Sequence, residues 1–203
     1  MNVRSTFVAI ALLALLAGCQ TTSVRSAWFD TDFTGPPLRK VVVSGQVSST
    51  ADDRVVEDAF VLQLRAAGVD AIAGHSLGLD DAQVTDAGFK AAVLNSGAQG
   101  LLLVRLLGVD TRTQVATTMV HGGMGWGRDP WGVPMRPTTI PMQQVRQYDL
   151  ATVETKLFDV NTKQLLWAAT TTTFNPTTVA RETPAFARLI IGQLADRNLI
   201  ARP

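Results

Sequence analysis

Cysteine is nearly missing from this chain. Its 203 residues hold one, so no disulfide can form within a single copy and the fold has to stand on packing. Histidine is almost as scarce: His75 and His121 are the only two, and neither stands in an HExxH or HxH pattern or near a Cys. That excludes the usual zinc-type ligand sets, so no metal and no cofactor is expected. An excess of one charge is also absent, with 18 Lys and Arg against 17 Asp and Glu and no basic cluster. Nucleic acid therefore has no electrostatic footprint to recognise. Finally, no apolar run approaches the roughly 20 residues that span a bilayer.

What apolar run there is comes first. Residues 7–16 are continuously apolar, follow Arg4, and are closed by Leu16-Ala17-Gly18-Cys19. A positive start, a short apolar segment and a small-residue ending have the layout of a secretory signal peptide over residues 1–18. The ending resembles the lipobox of bacterial lipoproteins. The resemblance implies that the Cys19 thiol receives a diacylglyceryl group, that the signal is cleaved, and that the new amino terminus is acylated. Loss of Arg4 would leave the basic residues equal to the 17 acidic ones. The membrane is then held by acyl chains, at about 0.8 kcal/mol per buried CH₂, rather than by charge. Position 20 is Gln and not the Asp that retains such lipoproteins at the inner membrane, which implies an outer-membrane, periplasm-facing protein. Residues 19–37 are expected to form the lipidated Cys and a tether, and residues 38–203 a single domain.

Val41-Val42-Val43 is a β-branched run bounded by turn residues, expected as a buried strand over 38–45. Thr50 to Asp53 has capping-box spacing, and Val56, Phe60 and Leu64 repeat as one helical face before Gly68. Residues 69–73 complete a strand–helix–strand crossover with parallel strands. Asp80 and Asp81 precede a second helical pattern through Phe89 and Val93, and residues 100–109 are the most apolar strand.

Residues 117–144 break every pattern, with five Gly, four Pro, Met119, Met124, Met135, Met142, Trp126 and Trp131. They are expected as a long loop, and a loop of this length inside a domain is usually functional or disordered. Strands resume over 146–160 and 165–174 about the turn Asn161-Thr162-Lys163, the Thr run of the second lying towards the sheet edge. Thr183-Pro184 is expected to open the last helix, whose stripe is Phe186, Leu189, Ile190 and Leu194. The sum is an α/β fold, β-α-β-α-β-β-β-α. Its five-stranded mixed sheet, in the order 2-1-3-4-5, has the first two helices on opposite faces.

This arrangement, with Glu57-Asp58-Ala59-Phe60, Leu64-Arg65-Ala66-Ala67-Gly68 and the run from Leu157-Phe158-Asp159 through the turn to Leu165-Leu166-Trp167, resembles a group of small bacterial outer-membrane lipoproteins whose shared domain carries no assigned function. Its topology is distantly similar to the curli-secretion lipoprotein and to the amino-terminal domain of the translocation protein TolB. Neither likeness supplies a catalytic residue. The residues themselves supply none either: Gly122 to Gly127 imitates a phosphate loop without the Lys-Ser/Thr, and Asp52-Asp53 and Glu57-Asp58 read as an exposed helix face. The expectation is a non-enzymatic interaction or assembly module in the envelope. Its partner is an unidentified envelope protein, and Trp126, Trp131, Met124 and Met135 form the contact surface. The alternative is a small-molecule or glycan binding or hydrolytic protein, with Arg105 and His75 at a pocket beyond the strand C-terminal ends that would also gather Asp110.

Overall fold

The computed structural model describes residues 22–78, 85–122 and 138–201. Within them a six-stranded mixed sheet carries three helices. The strands are β1 (Thr22–Phe29), β2 (Lys40–Gln46), β3 (Asp70–Ala73), β4 (Gly100–Gly122), β5 (Thr138–Asp159) and β6 (Leu165–Phe174). The helices are α1 (Thr50–Ala66), α2 (Asp86–Asn95) and α3 (Val179–Asp196), and Gly74–Leu77 form a 3-10 turn after β3. The spatial order is β1-β6-β5-β4-β2-β3. The five expected strands keep their expected relative order, and β1 is added beside the last of them.

Strand β1 corrects the reading of 19–37 as a tether. Its sequence TSVRSAWF has no alternating apolar face, because what it offers β6 is hydroxyls. The Thr22 and Thr173 hydroxyls lie 2.9 Å apart and share one hydrogen bond, and β1 runs antiparallel to β6 from Thr22↔Thr173 to Phe29↔Trp167. The Thr run of β6 is therefore an inner strand rather than an edge, with Thr171, Thr172 and Thr173 all buried. At its far end β1 is pinned by the Arg197 guanidinium, 4.0 Å above the Phe29 ring.

Strand β2 shows why a continuous apolar run belongs in the middle of a sheet. Val41 and Val43 join the large core with Phe60 and Leu64 of α1, while Val42 faces the other way, against Val93 beneath α2. Helices α1 and α2 thus cover opposite faces. On the α1 side α3 packs alongside, the Phe60 and Phe186 rings meeting edge to face at 5.4 Å. Trp167 is fully buried in the same core. The turn before it depends on Asp159, whose Oδ1 accepts the Asn161 and Thr162 N–H groups at 2.8 Å each, while Lys163 takes a positive φ of 62°.

Two helix starts differ from expectation, and each is decided by which hydroxyl faces the free N–H groups. Ser49, not Thr50, caps α1 by accepting the Asp52 N–H. Helix α3 begins at Val179 under Thr178, which accepts the Arg181 N–H, so Thr183-Pro184 lies inside the helix. The Thr183 hydroxyl bonds back to the Val179 carbonyl at 2.6 Å, which removes it from any capping role.

Candidate functional site

The largest departure from expectation falls in 117–144. Strand β4 continues to Gly122 and β5 begins at Thr138, paired without a break from Gly108↔Thr152 to Gly122↔Thr138. That leaves only 123–137 of the expected loop segment. Trp126, Trp131, Met124 and Met135 lie in it, outside the described residues, as does the lipidation candidate Cys19.

These strands outrun the sheet. Strand β2 stops pairing with β4 at Gln46↔Arg105, and β6 stops pairing with β5 at Leu150↔Phe174. Beyond those positions β4 and β5 form a two-stranded ribbon in which, among the described residues, each strand pairs with the other alone. From Asp110 to Gly122 it reaches about 40 Å at ~3.4 Å per residue. Its base is fixed: Tyr148 stacks on Phe174 at 4.8 Å, the Asp149 N–H donates to Asn175 Oδ1, and the Thr111 hydroxyl donates to Asp149 Oδ1. Above the base Val115, Met119, Met142 and Val145 are each more than half exposed. A lone two-stranded ribbon is marginal in water, and this one has no described layer over its bare apolar groups and unpaired backbone.

At the ribbon base, on the α1 and α3 side, lies an apolar groove of about 290 Å³ lined by Val47, Val56, Leu106, Val109, Val153 and Phe186. A second groove of about 380 Å³ opens on the other face between α2 and the sheet, against Phe89, Leu101 and Phe158. Neither contains Arg105 or His75.

Arg105 and His75 are in fact on opposite sides of the sheet. Arg105 is exposed next to Val104, which turns into the α1-side core, so the Arg side chain leaves by the α2 side. Asp110 is exposed further along the ribbon. Neither groove gathers the three. His75 instead meets Glu57, and here the reading of Glu57-Asp58 as an exposed helix face is corrected for Glu57. That carboxylate is 2% exposed. Its Oε1 accepts the Gly45 N–H at 2.9 Å, and its Oε2 accepts the His75 N–H at 2.7 Å and lies 2.8 Å from His75 Nδ1. Asp58 stays exposed, 3.6 Å from His75 Nε2.

The glycines around it show how closely this knot is drawn. A Cβ on Gly74 would stand 2.8 Å from Glu57 Oε1 and 2.9 Å from the Val43 carbonyl oxygen, and one on Gly45 would stand 2.8 Å from the Asp53 carbonyl oxygen. Glu57 therefore ties α1 to the ends of β2 and β3, its described hydrogen bonds going to backbone or to a ring that it orients. The described hydrogen bonds bring no Ser or Thr hydroxyl to His75, and no group of three His, Cys, Asp or Glu suited to a metal occurs among the described residues. Among the described residues the arrangement holds an imidazole in place. The sequence did carry a signal for Glu57: it lies three residues before Phe60 and seven before Leu64, on the apolar stripe itself.

No family model and no curated protein matches the chain. Among solved structures, the PelC dodecamer from Paraburkholderia phytofirmans superposes with a TM-score of 0.47 at 15% identity, over 90% of this chain and 99% of that one. Its L103M form gives 0.48 at 14% identity, over 87% and 99%. The lipoprotein GNA1162 from Neisseria meningitidis gives 0.41 at 9% identity, over 77% and 98%.

Proposed function

We propose that the protein is an outer-membrane lipoprotein, anchored through Cys19 and facing the periplasm, that works by contact rather than catalysis. Its contact surface is the β4–β5 ribbon with the Trp and Met residues of 123–137. One observation carries the reading: a ribbon of about 40 Å stands free of the sheet with Val115, Met119, Met142 and Val145 uncovered. The fold does not need it, since every described residue of the main core lies outside 110–150. Loop-closure entropy alone would favour a short turn in its place, though by only about 0.6 kcal/mol per doubling of length.

The anchor reading has a geometric companion. Thr22 enters the sheet opposite Thr173, beside the Leu150↔Phe174 pair where the ribbon departs. Cys19 is three residues earlier, so its Cα stays within roughly 11 Å of Thr22 at full extension. On this reading the anchor belongs to the end of the domain from which the ribbon departs. The test replaces residues 113–147 with a two-residue Asn-Gly turn in the full chain. The expected result is a processed, membrane-bound protein of unchanged melting temperature that has lost its cross-linked neighbours. A large fall in melting temperature, or an unchanged set of neighbours, would overturn the proposal.

A further inference from the structure

We infer that the ribbon's partner is the ribbon of a second copy, joined edge to edge, β4 of one copy against β5 of the next. The inference rests on the contact reading above and names the partner that reading leaves open. Both ribbon edges are unpaired among the described residues: β4 from Leu106 to Gly122, and β5 from Tyr148 back to Thr138, beyond the bonds that tie Asp149 to Asn175. Proteins that keep such edges solitary arm them with Lys, other charges or proline. Charges stand only near the base, at Asp110, Arg112 and Arg146; neither strand carries one in 113–122 or 138–145, where Pro141 is the single guard. The edges are templates left open, with Val115, Met119, Met142 and Val145 bare beside them.

Direction decides which edges meet. Copies held by one surface at the same end point their ribbons the same way. Two β4 edges would then run parallel, as would two β5 edges. A β4 edge meets a neighbouring β5 edge antiparallel, which continues the up-and-down alternation of each ribbon without a change of pattern. The contact is head to tail, so it repeats from copy to copy and closes when the rotation closes. An anchor at this end also places the ribbon on the membrane side, where an open strand edge is not tolerated and a closed one is.

Proline marks the outward-facing positions. Pro141 sits in an unbroken ladder opposite Met119, which a proline permits only where its nitrogen turns to the free edge. By the period of two, the outward donors of β4 include Thr113, Val115 and Thr117, and those of β5 include Gln143, Val145 and Gln147.

The test uses the full chain. Two differently tagged copies are made in one cell, one with Cys at 113, 115 or 117 and the other with Cys at 143, 145 or 147, and a short thiol-to-thiol reagent is added. The expected result is a mixed-tag dimer for one diagonal set of positions, and little 113–113 or 147–147 product. Thr117→Pro, which removes an outward donor and leaves the ribbon's own bonds intact, should lower the mixed dimer severalfold. Thr118→Pro, which breaks the ribbon itself, is the folding control. Absence of mixed dimer at all nine combinations, or β4–β4 product in its place, would overturn the pairing. Processing at Cys19 is scored on the same gel by mobility, so a failed anchor and a failed pairing appear as different bands.

Discussion

Removing the Glu57 carboxylate should be among the costliest single changes in the chain. Glu57→Ala leaves the Gly45 and His75 N–H groups pointing into a space with no acceptor. Each orphaned buried donor costs about 1–3 kcal/mol, and the vacated side-chain volume adds to that, so a loss of about 3–5 kcal/mol is expected. For a domain of this size each kcal/mol moves the midpoint by roughly 2–4 °C, which puts Tm about 10 °C lower. Glu57→Gln separates shape from charge. Its oxygen can stay on the His75 side, where two donors converge, but its NH₂ then faces the Gly45 N–H, donor against donor. One lost acceptor predicts about 1–3 kcal/mol, less than for Ala. Urea unfolding followed by Trp fluorescence reads both. Losses below about 0.5 kcal/mol for both variants, the range of an ordinary surface change, would refute the claim that this carboxylate ties α1 to β2 and β3.

The same geometry sets four further outcomes. Trp167→Ala empties the centre of the main core and should cost about 3–5 kcal/mol by urea unfolding. Thr155→Val should raise stability by about 1 kcal/mol, because the Thr155 hydroxyl is fully buried with no hydrogen-bond partner among the described residues. Gly74→Ala should destabilise and displace Glu57, read as a changed His75 ring resonance in NMR. The Ser48 and Ser49 hydroxyls, both donating to Asp52, hold its carboxyl below the ordinary 3.8. That small contribution is present above the unfolded value and is lost as pH falls through the folded one, so the NMR titration midpoint of Asp52 should lie below 3.8.

The parts of the fold that were legible in the sequence are those built against the core. Val41-Val42-Val43, the Val56, Phe60 and Leu64 stripe and the Asp159 turn before Trp167 all announce themselves, because a buried face imposes a period or a turn demands a residue. Strand β1 did not, since it joins the sheet through Thr and Ser hydroxyls and has no apolar period to show. The ribbon stretches 110–122 and 138–145 escaped for the opposite reason. With no described layer on either face nothing enforces alternation, and Gly, Pro and Met at their tip read as loop. Glu57 stood on an apolar stripe in plain view, but its partner His75 is 18 residues away across a crossover. Only the assembled sheet brings the two together.

The central claim is that this protein acts by contact through its ribbon. Photo-cross-linking in intact cells, from single probe residues placed at 115 and 145 of the full chain, tests it most directly. Position 62, on α1 and as exposed as either, serves as the control. The account predicts discrete adducts from both ribbon positions and none from position 62. No adduct from the ribbon, or the same adducts from all three positions, would contradict it.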